Sequence, residues 1–229
     1  MYLAFLDILG FKDIIENNSI DDVYNLYSFF LGFDIQELTR SFSTGGVDGI
    51  LNYLFLSDSI IIYTPDDSHL SFVSITLITE YILKTSLKSG FPLRGVIANG
   101  NLKKIIKQGV SFNANVLLGN SIVEAYKIEK QFDWSGCVIS PNLIDYIYTS
   151  NNNKAIDFLS CPLFELYNVP KKSGVHKQYH VINWASNKLN YCLKEKFLMH
   201  GKKLDDWGAL RKYENTRNFY EEMTRRKKG

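Results

Sequence analysis

The sequence predicts an α+β fold in which a β-α-β-β-α-β core is followed by a C-terminal helical extension. A nearly continuous apolar run at residues 2–8 is typical of a strand buried on both faces. Two further apolar runs, at 51–56 and 60–63, flank the short polar break 57–59, which predicts a tight hairpin. With helical periodicity on either side of the hairpin, this order is typical of the ferredoxin-like or palm arrangement. That arrangement places the first strand beside the hairpin in an antiparallel sheet.

The remaining elements are predicted from periodicity and from residues that end helices and strands. A capping pair, Ser19 and Asp22, begins an amphipathic helix, and Gly45 and Gly46 indicate a loop over 41–49. The predicted helices cover 20–39, 75–85, 119–129, 187–198 and 204–223. The predicted strands after the hairpin cover 93–98, 103–110 and 136–140. We therefore expect a core domain at 1–183 and a helical extension at 184–229.

Composition limits the classes of function. The chain has 229 residues, of which 45% are hydrophobic, so it has enough apolar material for a packed core. A net charge of only +2 gives no reason to expect nucleic acid or an anionic membrane as a partner. The three cysteines form no CxxC pair, so we expect neither a disulfide framework nor a zinc site. These features favour a cytoplasmic protein.

Two aspartates are the strongest candidates for chemistry. Asp7 ends the first strand and Asp58 lies at the hairpin tip, and the predicted topology makes these two positions spatial neighbours. Paired carboxylates suit hard cations such as Mg²⁺ or Mn²⁺, which bridge to phosphate oxygens. Two such ions can support an in-line displacement at phosphorus. Backbone N–H groups of Gly10 and Phe11 are then expected to face a triphosphate.

The segment Phe5-Leu6-Asp7-Ile8-Leu9-Gly10-Phe11 resembles the first metal motif of the class III nucleotidyl cyclases. Further resemblances follow in the same order along the chain, over roughly residues 3–140. They are Ser57-Asp58, Leu93-Arg94-Gly95-Val96-Ile97-Ala98-Asn99-Gly100, the helix from Gly119 to Glu129, and Gly136-Cys137-Val138-Ile139-Ser140.

This resemblance implies a two-metal cyclase that acts as a homodimer with sites at the subunit interface. Asp7 and Asp58 would bind both Mn²⁺ or Mg²⁺ ions, the backbone carbonyl of Ile8 would complete one site, and Leu9, Gly10 and Phe11 would hold phosphate. The interface helix of the family carries an Asn and an Arg, where this chain has Val123 and Lys127. Lys127 would then stabilise transition-state charge without the bidentate geometry of Arg.

The base-reading positions also depart from the purine cyclases. Leu54 and Val116 stand where those enzymes have polar side chains, and neither can hydrogen-bond a purine. Together with Ala125-Tyr126-Lys127-Ile128-Glu129 and Val181-Ile182-Asn183-Trp184, this resembles the Pycsar pyrimidine cyclases of bacterial antiphage defence. The resemblance implies UTP, in preference to CTP, as the substrate, with Tyr53 and Arg40 as candidate base contacts.

Two alternatives stay open at this stage. One is a catalytically degenerate cyclase-like module that binds nucleotide and regulates, which the replacement of Asn and Arg by Val123 and Lys127 would favour. The other is a palm-type synthase of cyclic oligonucleotides, because one fold and one metal pair can serve both reactions.

Overall fold

The computed structural model describes residues 1–29, 51–109, 112–150, 153–185 and 189–227. The strands in these ranges are β1 (Tyr2–Ile8), β2 (Asn52–Leu56), β3 (Ser59–Tyr63), β4 (Leu93–Asn99), β5 (Leu102–Gly109), β6 (Phe112–Gly119), β7 (Gly136–Ile139), β8 (Phe164–Pro170) and β9 (His176–Ile182). The helices are α1 (Phe11–Asn17), α2 (Ile20–Phe29), α3 (His69–Lys88), α4 (Asn120–Glu129), α5 (Pro141–Thr149), α6 (Asn153–Leu159), α7 (Leu193–Leu198) and α8 (Trp207–Arg226).

A seven-stranded sheet forms the centre of the protein, in the order β2-β3-β1-β4-β7-β9-β8. β1 pairs antiparallel with both β3 and β4, and β4 pairs parallel with β7. The predicted α+β class and the position of the first strand beside the hairpin are therefore confirmed. β5 and β6 form a separate two-stranded ribbon outside this sheet.

Helices cover β1 on both of its faces. Tyr2 packs against Phe72 of α3 with ring centroids 5.4 Å apart, and Phe5 packs edge-on against Tyr126 of α4 at 5.9 Å. Because successive side chains of a strand point to opposite faces, α3 and α4 lie on opposite sides of β1. Asp7 has the same parity as Phe5 and so belongs to the α4 side. Because helices bury both faces of β1, the run at 2–8 is continuously apolar rather than alternating.

Several elements differ from the sequence-based expectations. The helix predicted over 20–39 begins at Ile20, and its part beyond Phe29 lies outside the described residues, as does the predicted loop over 41–49. α1 was not predicted, because seven residues give too few apolar repeats and its N-cap, Gly10, has no side chain to signal a cap. β6 was also missed. It pairs with β5 in a ribbon that does not contribute to the main sheet.

The C-terminal extension packs against the core instead of projecting from it. Phe219 of α8 is fully buried, with ring centroids 4.6 Å from Trp134 and 4.9 Å from Tyr167. The two terminal helices were expected, although α7 begins at Leu193 and α8 at Trp207, later than predicted. The division of the chain between residues 183 and 184 stays a prediction.

α3 is long and apolar enough to cross a membrane by length and composition alone. In this fold, however, 61% of its most apolar window is buried inside the protein. α3 is thus buried to the extent that is typical of a helix in a protein core.

Candidate active site

The ends of β1 and of the β2–β3 hairpin bring the two aspartates together. Asp7 lies opposite Ser59 in the β1–β3 pairing, and the backbone N–H of Ile8 donates to the carbonyl of Asp58 at 2.9 Å. Ser57 at the hairpin tip has φ 53°, a left-handed conformation that turns the chain tightly before Asp58. Asp7 and Asp58 therefore share one end of the sheet, as the topology predicts.

A buried arginine, which the sequence analysis did not assign to the site, binds the first of these aspartates. Arg94 of β4 is directly opposite Asp7 in the β1–β4 pairing, and its Nη2 lies 3.1 Å from Asp7 Oδ2. Its Nε donates to Glu129 of α4, and its Nη1 donates to the carbonyl of Phe132 at 2.8 Å. The Glu129 side chain is only 2% exposed. A charged residue inside the apolar run 93–98 was the signal for this buried network, since buried charges are almost always paired.

The electrostatics of this end of the sheet favour an additional cation. Burial raises the pKa of Asp7 to about 6, with the neighbouring negative charge of Glu129 adding to the effect and the guanidinium of Arg94 opposing it. Asp58 also raises the pKa of Asp7. Tyr27 of α2 donates its hydroxyl to the carbonyl of Ser57 at 2.7 Å, and burial together with Asp58 and Asp7 raises its pKa. The negative charges here are only partly compensated by Arg94.

The residues present fit divalent metal ions that are shared with a substrate. Within the described part of the chain, no group of three or more His, Cys, Asp or Glu side chains is placed to hold a metal. Two carboxylates suffice when phosphate oxygens and water complete the coordination, which is how Mg²⁺ is usually bound in nucleotide sites. Asp7 and Asp58 would supply the carboxylates, and the carbonyl of Ile8 is available beside them.

A cavity of about 290 Å³ opens next to Asp58, and Asp7 is not one of its lining residues. Residues around the end of β1 and the hairpin tip line it together with residues of the C-terminal extension. The lining residues on the core side are Ile8, Leu9, Gly10, Phe11, Lys12, Asp13, Asp58 and Pro92. Those from the extension are Phe197, Lys202, Lys203, Leu204, Asp206, Ala209 and Lys212.

The expected phosphate-binding turn lines this cavity. Gly10 has φ 76°, which a side-chain-bearing residue rarely adopts, and a Cβ there would lie 2.8 Å from Cδ of Lys202. Leu9 also lines the cavity, but its backbone N–H already donates to the carbonyl of Pro92 at 2.9 Å. Gly10 and Phe11 are therefore better placed than Leu9 to offer N–H groups to a phosphate.

Lys127 and Tyr53 do not line the cavity. Lys127 is exposed on α4, and Val123 on the same helix is 51% exposed. Tyr53 is in β2, opposite Ile62, and is partly buried against the core. Arg40 lies outside the described residues. One chain alone thus brings Asp7 and Asp58 to the same end of the sheet, without Lys127 or Tyr53.

Comparison with known proteins identifies the fold. No protein-family model and no curated protein sequence matches the chain. A bacterial light-regulated adenylyl cyclase matches with a TM-score of 0.52 and 13% identity, over 87% of this chain and 56% of that one. The chain has the fold of a nucleotide cyclase domain. The adenylyl cyclase CyaB from P. aeruginosa matches at 13% identity over 80% of this chain and 93% of its own, with a TM-score of 0.49. The dimeric guanylyl cyclase domain of the RhoGC fusion protein from the fungus Blastocladiella emersonii matches at 14% over 80% and 94%, also at 0.49.

Proposed function

We propose that this protein is a nucleotidyl cyclase that converts a pyrimidine nucleoside triphosphate, UTP in preference to CTP, into its 3′,5′-cyclic monophosphate and pyrophosphate. The observation that carries the proposal is the convergence of Asp7 and Asp58 at one end of a cyclase-fold sheet, beside a cavity lined by Gly10 and Phe11. The proposal includes a cytoplasmic location and a role in antiphage defence.

The reaction forms one bond and breaks one. The ribose 3′ oxygen forms a bond to the α-phosphorus and loses its proton, while the bond from that phosphorus to the bridging oxygen breaks and pyrophosphate leaves. Asp7, Asp58 and the carbonyl of Ile8 would hold two Mn²⁺ or Mg²⁺ ions. When bound, these ions supply charge stabilisation for the attacking and leaving oxygens. Gly10 and Phe11 orient the triphosphate, and Arg94 keeps the Asp7 carboxylate fixed through its contact with Oδ2.

The preference for a pyrimidine base is supported by the side chains at the two base-reading positions of purine cyclases. Leu54 in β2 and Val116 in β6 cannot hydrogen-bond a purine edge. Without polar side chains at these two positions, the site offers a purine base no hydrogen bonds there. Hydrogen bonds of this kind discriminate strongly between substrates, so their loss removes a preference for purines.

A homodimer is supported by apolar side chains exposed on α4 and on the β5–β6 ribbon. Val123 and Tyr126 of α4 are 51% and 44% exposed, and Ile106 and Leu118 of the ribbon are 54% and 52% exposed. Burying such a patch against a second copy removes apolar area from water. In a dimer that completes its sites across this surface, Lys127 would act on the substrate held by its partner.

Mixing two inactive variants tests this arrangement. Asp7→Asn lacks the metal half and Lys127→Ala lacks the residue supplied across the interface, so a mixed dimer retains one complete site. We expect cyclase activity to return to about a quarter of the wild-type level after the two variants are mixed and allowed to exchange subunits. Mixing Asp7→Asn with Asp58→Asn is the matched control, since both remove the same half and no complete site can form. Cyclase activity of Lys127→Ala alone, or equal activity in both mixtures, would show that Lys127 does not act across the interface.

Product mass tests the function itself. The purified protein is incubated separately with UTP, CTP, ATP and GTP in the presence of Mn²⁺, and the products are analysed by mass spectrometry. We expect the cyclic monophosphate of uridine as the main product. Dinucleotide products would instead support an oligonucleotide synthase. Binding of nucleotide without any product would support a degenerate cyclase-like module, for which Val123 and Lys127 in place of Asn and Arg are the motivation.

A further inference from the structure

The C-terminal extension forms part of the lining of the cavity beside Asp58. Phe197, Lys203 and Lys212 of the extension face the same space as Asp58 and Gly10 of the core. The cavity is thus lined by residues from segments that are far apart in sequence. Nothing in the chemistry described so far uses this part of the lining.

Lys202 fixes the extension against the turn that follows β1. Its side chain is buried, and its Nζ donates to the carbonyls of Gly90 and Met199, each at 2.6 Å. Burial lowers the pKa of Lys202 to about 8, while Asp13 acts in the opposite direction. With its Cδ packed on Gly10, Lys202 sets the position of the neighbouring Lys203 at the cavity.

A second set of contacts fixes α8 and therefore Lys212. Arg211 forms an ion pair with the buried carboxylate of Asp133, and Asn215 donates to the carbonyl of Asp133 at 2.7 Å. The hydroxyl of Thr216 accepts the backbone N–H of Ser135 at 2.8 Å. The residues on both sides of Lys212 are thus bound to the core, so the helix presents this half-buried lysine at a defined place.

Among the charged residues that line the cavity, Lys203 and Lys212 are available for an anion, whereas Lys202 is engaged with two backbone carbonyls. The lysines of the lining are Lys12, Lys202, Lys203 and Lys212, and the aspartates are Asp13, Asp58 and Asp206. Asp206 already accepts the N–H of Ala209 as the N-cap of α8, and Asp58 is assigned to metal. The lining thus contains more lysines than aspartates, and clustered cations attract a polyanion.

We propose that Lys203 and Lys212 bind the phosphate groups of the nucleoside triphosphate in the same chain that supplies Asp7 and Asp58. The identity of the nucleotide rests on the proposed function, but Lys203 and Lys212 would bind a polyphosphate of any origin. The C-terminal extension would then contribute substrate-binding residues to the active site. It provides positive charge in cis, from a segment that packs against the Gly10 turn through Lys202.

The test measures binding of inorganic tripolyphosphate to the metal-free full chain by isothermal titration calorimetry. We expect Lys212→Ala and Lys203→Ala each to weaken binding by about tenfold, since each removes a charge-assisted hydrogen bond to phosphate. The double variant should bind at least about 30-fold more weakly than the wild type. Lys194→Ala is the matched control, because Lys194 is an exposed lysine of α7 that does not line the cavity. Circular dichroism and thermal unfolding of each variant establish that it folds.

The outcomes separate this inference from the proposed function. Tripolyphosphate binding by the folded double variant within twofold of the wild type would overturn the assignment, as would a wild-type protein that does not bind the probe. Loss of binding in the lysine variants alone, with Lys194→Ala unchanged, supports it even if no triphosphate is cyclised. Conversely, the wild type could make cyclic nucleotide while the lysine variants bind tripolyphosphate normally. That result would support the cyclase function and overturn the assignment of phosphate binding to Lys203 and Lys212.

Discussion

Replacing either aspartate by asparagine is expected to lower turnover of UTP by at least about 10³-fold, because metal-ion stabilisation of the transition state contributes several kcal/mol. Asp7→Asn and Asp58→Asn each remove one of the two carboxylates that converge at the end of the sheet. The amide keeps the size of the side chain, so the loss would be one of charge and not of packing.

Both variants should fold. Burial and Glu129 raise the pKa of Asp7 to about 6, so in the metal-free protein its negative charge is unfavourable at neutral pH, and a neutral amide is at least as stable. Thermal unfolding with and without Mn²⁺ provides a readout that is independent of turnover. Mn²⁺ should raise the melting temperature of the wild type and of Asp145→Asn, an exposed control on α5, but not that of either site variant. If Mn²⁺ raised the melting temperature of both site variants as much as that of the wild type, Asp7 and Asp58 would not be metal ligands.

Replacing Arg94 by methionine is expected to cost about 3–5 kcal/mol in the free energy of unfolding, because it leaves a buried charge without its partner. The Arg94 side chain is 7% exposed and binds both Asp7 and the buried Glu129. Methionine fills much of the same volume, so the cost arises mainly from Glu129. Urea denaturation followed by circular dichroism measures the change.

A second substitution separates charge from packing in this network. Arg94→Met combined with Glu129→Gln removes the buried charge as well as its partner, and we expect it to recover at least about 1 kcal/mol relative to the single variant. Arg217→Met is the matched control, since Arg217 forms an exposed ion pair with Glu221 at 3.6 Å, a kind of pair worth about 0–1 kcal/mol. If Arg94→Met cost no more than Arg217→Met, the buried network would not stabilise the fold.

The convergence of Asp7 and Asp58 could be predicted because it depends on local patterns. The apolar run at 2–8 and the polar break at 57–59 each indicate one element, and the topology then places Asp7 and Asp58 together. The same reasoning placed α4 and β7. Hydrophobic periodicity and turn residues are properties of neighbouring positions, so a single sequence displays them.

The rest of the site depends on contacts between distant segments, which no local pattern encodes. Arg94 and Glu129 meet across 35 positions, and the register that sets Arg94 opposite Asp7 is fixed only when β1 and β4 pair. Lys203 and Lys212 reach the cavity because Lys202 and Arg211 fix the extension against the core. In the sequence, those lysines are indistinguishable from solvated surface residues. Charges that are buried or directed into a cavity by tertiary packing become visible only in the folded chain.

The proposed role of Asp7 and Asp58 in converting a triphosphate into a cyclic monophosphate is tested most directly by phosphorus-31 NMR. Spectra of the wild type with UTP and Mg²⁺ follow substrate and both products in one sample. We expect a cyclic phosphodiester signal and pyrophosphate to appear together in equal amounts, and neither to appear with Asp7→Asn. Release of inorganic phosphate or of a linear phosphodiester by the wild type, or equal rates for the wild type and Asp7→Asn, would contradict it.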